Sequence, residues 1–155
     1  SLEKLAIPAE RIEPVMARWE TLSRDRLHEV EVYEGIIPVL EALHAAGKRC
    51  GIVTSRTRLQ LGYGFTPLGL NHYFDAIVCA DDIEHPKPAP DGLVECIRRL
   101  GGSAEQAVYI GDSAYDMQCA AAAGVKSGLA LWGSETPDAL QADMRLTHPS
   151  ELLLL

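Results

Sequence analysis

No apolar run in these 155 residues approaches the roughly 20 needed to cross a bilayer, and the C-terminal Leu152–Leu155 is far too short, so a membrane-spanning helix is not expected. The start lacks a basic stretch followed by a long apolar core, so no secretory signal is read and the cytoplasm is the expected compartment. Cations are scarce: 14 Lys and Arg stand against 22 Asp and Glu, a net charge of −8. They form no cluster interleaved with aromatics, and such a surface repels polyphosphate backbones, so nucleic acid is not an expected partner. A phosphate ester is still compatible with this charge, provided a metal ion and a few aimed donors neutralise it locally. Only four cysteines occur, Cys50, Cys79, Cys96 and Cys119, with no Cys-x-x-Cys pair of the kind zinc ribbons and redox motifs use. Each sits among apolar residues, which points to buried free thiols.

What is present suits one globular core with a small appendage. Four short apolar runs read as strands: Arg49–Thr54, Ala76–Ala80, Ala107–Asp112 and Lys126–Leu131. Their apolar residues are continuous rather than alternating, as in strands covered on both faces of a parallel sheet. Helical segments separate them. Ile36, Val39, Leu40 and Leu43 recur at helical spacing before Gly47, a residue suited to a left-handed C-terminal cap. Pro90 suits a first helical turn, and Leu93, Val94, Ile97 and Leu100 form a stripe ending at Gly101. Ala114–Ala123 is alanine-rich and can lie close against a sheet. Alternation of this kind predicts a doubly wound, mostly parallel α/β layer. Residues Arg58–Leu70 should cross over as a helix, but Gly62, Gly64 and Pro67 predict a broken one. Ala9–Val30 reads as a charged helix with Ile12, Val15, Met16, Trp19, Leu22 and Leu27 on an apolar side. After Leu131 a helix at Pro137–Ala142, an edge strand at Met144–Thr147 and a last helix at Pro149–Leu155 are expected.

In open α/β sheets ligands gather beyond the carboxyl ends of strands, and three polar groups stand there. Thr54–Ser55 follows Gly51-Ile52-Val53, where a hydroxyl and backbone N–H groups can hold a phosphate oxygen; the same residues also suit a helix N-cap. Lys87 lies in His85-Pro86-Lys87-Pro88-Ala89-Pro90, where prolines fix the backbone and so aim the ammonium; a solvated loop lysine is the plainer reading. Gly111-Asp112-Ser113-Ala114-Tyr115-Asp116 puts one carboxylate at a strand end and another four residues on. That pair can hold a hard cation such as magnesium, or Asp112 can cap the helix while Asp116 complements its dipole.

The order strand-Thr, then Lys-Pro-x-Pro, then Gly-Asp-x-x-x-Asp resembles the second, third and fourth motifs of the haloacid dehalogenase superfamily. The wording GIVTSR, HPKPAPDGL and VYIGDSAYDMQCAAAAG is similar to its phosphoglycolate phosphatase and pyrophosphatase branch, and the ALWG segment at Ala130–Gly133 agrees. The resemblance implies a Rossmann-like core at 32–155, preceded at 1–31 by the remnant of a helical cap. It implies a magnesium-assisted, two-step phosphoryl transfer from a small phosphorylated metabolite. Thr54, helped by the Ser55 backbone, would bind the phosphoryl oxygens; Lys87 would neutralise nucleophile and phosphate; Asp112, with Asp116 beside or behind it, would hold Mg2+.

The family's first motif, a strand ending in Asp-x-Asp, carries its nucleophile, and no Asp-x-Asp occurs in this sequence. The resemblance places that strand at the centre of the sheet, between those ending at Thr54 and Asp112. The chain is therefore expected to begin inside the cap and to turn over little or nothing alone. Either the two flanking strands pair directly, or a second copy or a complementing N-terminal fragment fills the place. Asp81 and Asp82 follow what resembles the outer strand, and Asp75 precedes it, so none is expected to substitute. Two other functions compete: carbon–halogen cleavage, which needs no metal and is disfavoured by the Gly-Asp-x-x-x-Asp pair, and a non-catalytic module binding phosphate, metal or a protein.

Overall fold

The computed structural model describes residues 8–26 and 30–155, and the chain divides into two units at the Glu31–Val32 junction. The first holds helix α1 (Ala9–Asp25). Ile12 and Val15 are half-buried, whereas Leu22 is 47% exposed. Leu27 and the side chains of Met16 and Trp19, expected on the same apolar side, lie outside the described residues.

The second unit opens with α2 (Ile36–Ala45), which buries Val39 and Leu40 and stops as expected before Gly47, at φ +69°. All its strand pairs are parallel. Strand β1 (Gly51–Val53) pairs with β2 (Ala76–Val78), and β3 (Val108–Gly111) pairs with β4 (Lys126–Ala130), which pairs with β5 (Met144–Leu146). Between β1 and β2 the crossover is broken as the glycines and proline predict: α3 (Arg58–Gly64) lasts seven residues and a 3-10 turn follows at Thr66–Leu68. The helices expected at Pro137–Ala142 and Pro149–Leu155 are instead 3-10 turns at Pro137–Ala139 and Pro149–Leu154, each with proline at its start. Such tight turns rarely extend far.

Helix α4 (Asp91–Leu100) packs on β1 and β2, α5 (Ala114–Ala123) packs on β3 and β4, and the two helices touch. Leu93 of α4 and Cys119 and Ala120 of α5 form one cluster with Val125, and Val53 and Tyr109 pack against it from the two sheets. The expected α4 stripe needs one correction. Val94 is 53% exposed, and Cys96 is buried in its place. Positions 93, 96, 97 and 100 share a face at helical spacing, whereas 94 is turned about 100° away from 93. Burial keeps the four cysteines as free thiols, with Cys79, Cys96 and Cys119 buried and Cys50 half-buried. Cys96 is pushed up to about 11 chiefly by loss of solvent.

Direct pairing of the strands ending at Thr54 and Asp112 is not what the chain does, since β1 and β3 belong to separate sheets. The helix layer explains why. Packed helices lie about 8–10 Å apart, near twice the roughly 4.8 Å between paired strands, so α4 and α5 side by side hold β1 and β3 out of hydrogen-bonding range. The Thr54 N–H bonds to the Val78 carbonyl at 3.0 Å, so alternation along a parallel ladder turns the backbone groups of Gly51 and Val53 away from β2. The opposite border is closed: the Ile77 carbonyl, on the outer side of β2, accepts from Arg99 Nη1 at 2.9 Å and Arg58 Nη2 at 3.4 Å. Asp82 pairs with both guanidinium groups.

Amide hydrogen exchange reads this arrangement directly. The Thr54 amide is expected to be protected while those of Gly51 and Val53 exchange rapidly; equal protection of all three would mean that β1 is paired on both sides.

Candidate active site

Two polar turns and one proline-fixed loop meet beyond the strand ends. Helix α5 is capped by Ser113, not by Asp112. The Ser113 hydroxyl accepts from the Asp116 N–H at 3.3 Å, and the Asp116 carboxylate accepts from the Ser113 N–H at 3.2 Å. This reciprocal cap turns the Asp116 side chain back toward the strand. Gly111 makes room for it: a Cβ there would lie 2.3 Å from Asp116 Cβ, closer than non-bonded carbons approach.

The buried carboxylate of Asp116 is fully occupied. Its Oδ1 accepts from Lys87 Nζ at 2.7 Å and Tyr109 Oη at 2.9 Å; its Oδ2 accepts from Ser113 Oγ at 2.5 Å as well as the backbone. Burial works to raise this carboxyl, but the bonds from Lys87 and Ser113, the lysine charge and the tyrosine together hold it below the ordinary carboxylate range. Lys87 is no solvated loop residue, since its side chain is only 12% exposed. Its three N–H donors have three acceptors: Asp116, the Tyr109 hydroxyl at 3.2 Å and the Val53 carbonyl at 3.4 Å. The His85 ring nitrogen, 3.0 Å from Asp91, ties the start of the loop to the first turn of α4.

Val53 is the residue before Thr54, so the lysine ties the end of β1 to the start of α5. The cap that Thr54 could have formed is made by Thr57, whose hydroxyl accepts from the Gln60 N–H at 3.3 Å. Thr54 Oγ1 instead accepts from the Arg56 N–H at 3.1 Å, and Ser55 is exposed in the same turn. Asp112 is exposed and bonds to no other described side chain. Loss of solvent, then the charge of Asp116, raise its carboxyl, and Lys87 opposes them. A carboxylate so placed gains from a nearby cation.

Asp81, Asp82 and Asp75 are employed elsewhere, as their positions suggested. Asp81 accepts from the Arg58 N–H at 2.9 Å, Asp82 from the Cys79 N–H at 2.9 Å, and Asp75 from the Cys50 N–H at 3.0 Å. Sequence reasoning missed Tyr109 and Ser113. Tyr109 reads as strand core and does pack there, but its hydroxyl reaches Asp116 in the first turn of α5; burial, then the neighbouring carboxylate, push that hydroxyl far up. The Ser-x-x-Asp spacing was the available signal for Ser113. Among the described residues no three His, Cys, Asp or Glu side chains gather as a complete metal shell, and no helix is long and apolar enough to cross a membrane.

A parallel α/β core with a lysine and two acidic groups at its strand ends defines a class of hydrolase, and comparison with known proteins gives the family. The sequence profile of haloacid dehalogenase-like hydrolases matches residues 1–130, and the chain belongs to that family. Pyrophosphatase PpaX of Bacillus velezensis is 31% identical over 151 residues, covering 95% of this chain and 70% of that protein. The PpaX of Halalkalibacterium halodurans is 33% identical over 93% of this chain and 69% of its own length. Among solved structures, a candidate phosphoglycolate phosphatase from Lactobacillus plantarum superposes with a TM-score of 0.91 at 30% identity, covering 99% of this chain and 74% of its own. These relatives bear out the fold class and the phosphatase branch read from the motifs.

Replacing Lys87 by Met strands a buried carboxylate. Urea unfolding of Lys87→Met at neutral pH is expected to show a loss of about 3–5 kcal/mol. Asp116 is depressed in the folded parent, so its stabilisation is present above the ordinary Asp range and is lost as pH falls below that range through the depressed folded-state value. Protonation relieves the variant at the same time, and its deficit should shrink with acidification. A deficit that is constant from neutral to acidic pH would mean that Asp116 is not the group left exposed to the loss.

Proposed function

We propose that this chain supplies the phosphate-binding, charge-neutralising and metal-facing groups of a Mg2+-dependent phosphatase acting on a small phosphorylated metabolite in the cytoplasm. The observation that supports it is one buried ammonium, Lys87, touching both the carbonyl before Thr54 and the carboxylate four residues after Asp112. Phosphoryl transfer depends chiefly on positioning and on neutralising the oxygens of the transferred group. In this reading Thr54 and the Ser55 N–H bind those oxygens, and Lys87 faces them with its orientation fixed by Asp116 and Tyr109. Asp112 is the free carboxylate; Asp116, standing behind it, orients Lys87 and adds negative charge. One such ligand suits magnesium, which keeps most of its shell as water and substrate oxygens. When bound, the ion supplies positive charge to the phosphoryl oxygens.

The nucleophile in this reading is the first carboxylate of an Asp-x-Asp strand from outside these 155 residues, lying between β1 and β3. The backbone groups of Gly51 and the Val53 N–H, turned away from β2, favour it, because a strand edge left open lacks ladder partners. Pyrophosphate and phosphoglycolate, the substrates named by the relatives, are the first to try.

The test is a phosphate-release assay on the chain alone and after mixing with a synthetic apolar strand ending in Asp-x-Asp. Alone it is expected to be silent. With the strand, turnover should require Mg2+ and should fall by at least about a hundredfold in Lys87→Met or Asp112→Asn. Brisk turnover by the chain alone, lost in Asp112→Asn, would place the nucleophile within it and sink this assignment. Halide released from a haloacid in the presence of a chelator would point to carbon–halogen cleavage instead.

A further inference from the structure

Asp112 does not lie free in space. A Cβ on Gly133 would stand 2.8 Å from Asp112 Oδ2, 3.2 Å from its Cβ and 3.4 Å from its Cγ. The backbone after β4 is therefore pressed flat against this carboxylate. Gly133 donates its N–H to the Ala130 carbonyl at 3.2 Å, which fixes the turn to the end of the strand. Its φ lies outside the left-handed region, unlike those of Gly35, Gly47, Gly69, Gly101 and Gly124. Any residue could take this backbone, so the glycine answers to space and not to conformation.

We propose that Gly133 is a positioning residue: by offering backbone where any other residue would place a side chain, it gives the Asp112 carboxylate the room to keep its orientation at the end of β3. The proposal rests on the assignment of Asp112 as the metal-facing carboxylate. It differs from the role of Gly111, where an added Cβ would meet the root of the Asp116 side chain at 2.3 Å and the fold itself must give way. At Gly133 the nearest atom is the far end of Asp112, which can rotate. An added methyl should therefore leave the fold standing and move the carboxylate.

Manganese(II), a paramagnetic stand-in for magnesium, gives a readout that needs no turnover. Titrated into the isotope-labelled chain, it is expected to broaden the amide signals of Asp112 and Gly133 and to lose that effect in Asp112→Asn. In Gly133→Ala the concentration needed should rise about tenfold, the scale typical of groups that orient a metal ligand. The melting temperature should stay close to that of the parent, and adding Gly133→Ala to Asp112→Asn should change nothing further. Broadening in Gly133→Ala at the parent's concentration would overturn the positioning role while leaving Asp112 in place. Broadening that persists in Asp112→Asn, or none in the parent, would remove the cation assignment and this inference with it. A weakened response accompanied by a large fall in melting temperature, present also in the Asp112→Asn background, would make Gly133 a packing residue only.

Discussion

The buried pair of Lys87 and Asp116 is the constraint on which the rest of the site depends. A carboxylate with 7% of its side chain exposed is costly unless every lone pair is met, and here a lysine, a tyrosine, a hydroxyl and a backbone N–H meet them. These four partners come from three pieces of chain: the proline-fixed loop, strand β3 and, through both groups of Ser113, the cap of α5. Satisfying one acid therefore locks three elements together. Asp112, four residues before it, is left without such partners, so the same turn holds one satisfied acid and one exposed acid. That division of labour suits a site in which one group orients and the other meets a cation.

A second constraint is the helix layer. Because α4 rests on one sheet and α5 on the other, the spacing of the strands follows helix packing and not strand pairing. The outer border of β2 is finished off by Arg58 and Arg99 on the Ile77 carbonyl, whereas the inner border of β1 offers backbone groups. The arrangement discourages lateral growth at the rim, where exposed edges invite association, and leaves an opening at the middle.

Much of this was legible in the residues. Apolar runs and their Gly and Pro punctuation gave the strands, helices and the broken crossover, because burial on both faces and backbone restriction act locally. Lys87, Asp112, Asp116 and Thr54 stood out because prolines, a Gly-Asp strand end and a Thr after an apolar run are unusual in combination. What escaped depends on contacts across the fold. Tyr109 looks like any strand aromatic until α5 brings Asp116 beneath its hydroxyl, and Val94 sits beside the buried stripe by a single rotation of the helix. Capping was misplaced by one residue at Ser113 and by three at Thr57, since several neighbouring polar residues could each have served.

The carbonyl of Val53 carries a consequence for how the site responds to completion. It points to the side of β1 away from β2, and it accepts a hydrogen bond from one of the three N–H donors of Lys87. A neighbouring chain that supplied its own N–H to that oxygen could displace this bond and free that donor of the ammonium for another acceptor. Closing the sheet and arming the lysine would then be a single event, with the backbone of one strand acting as the latch.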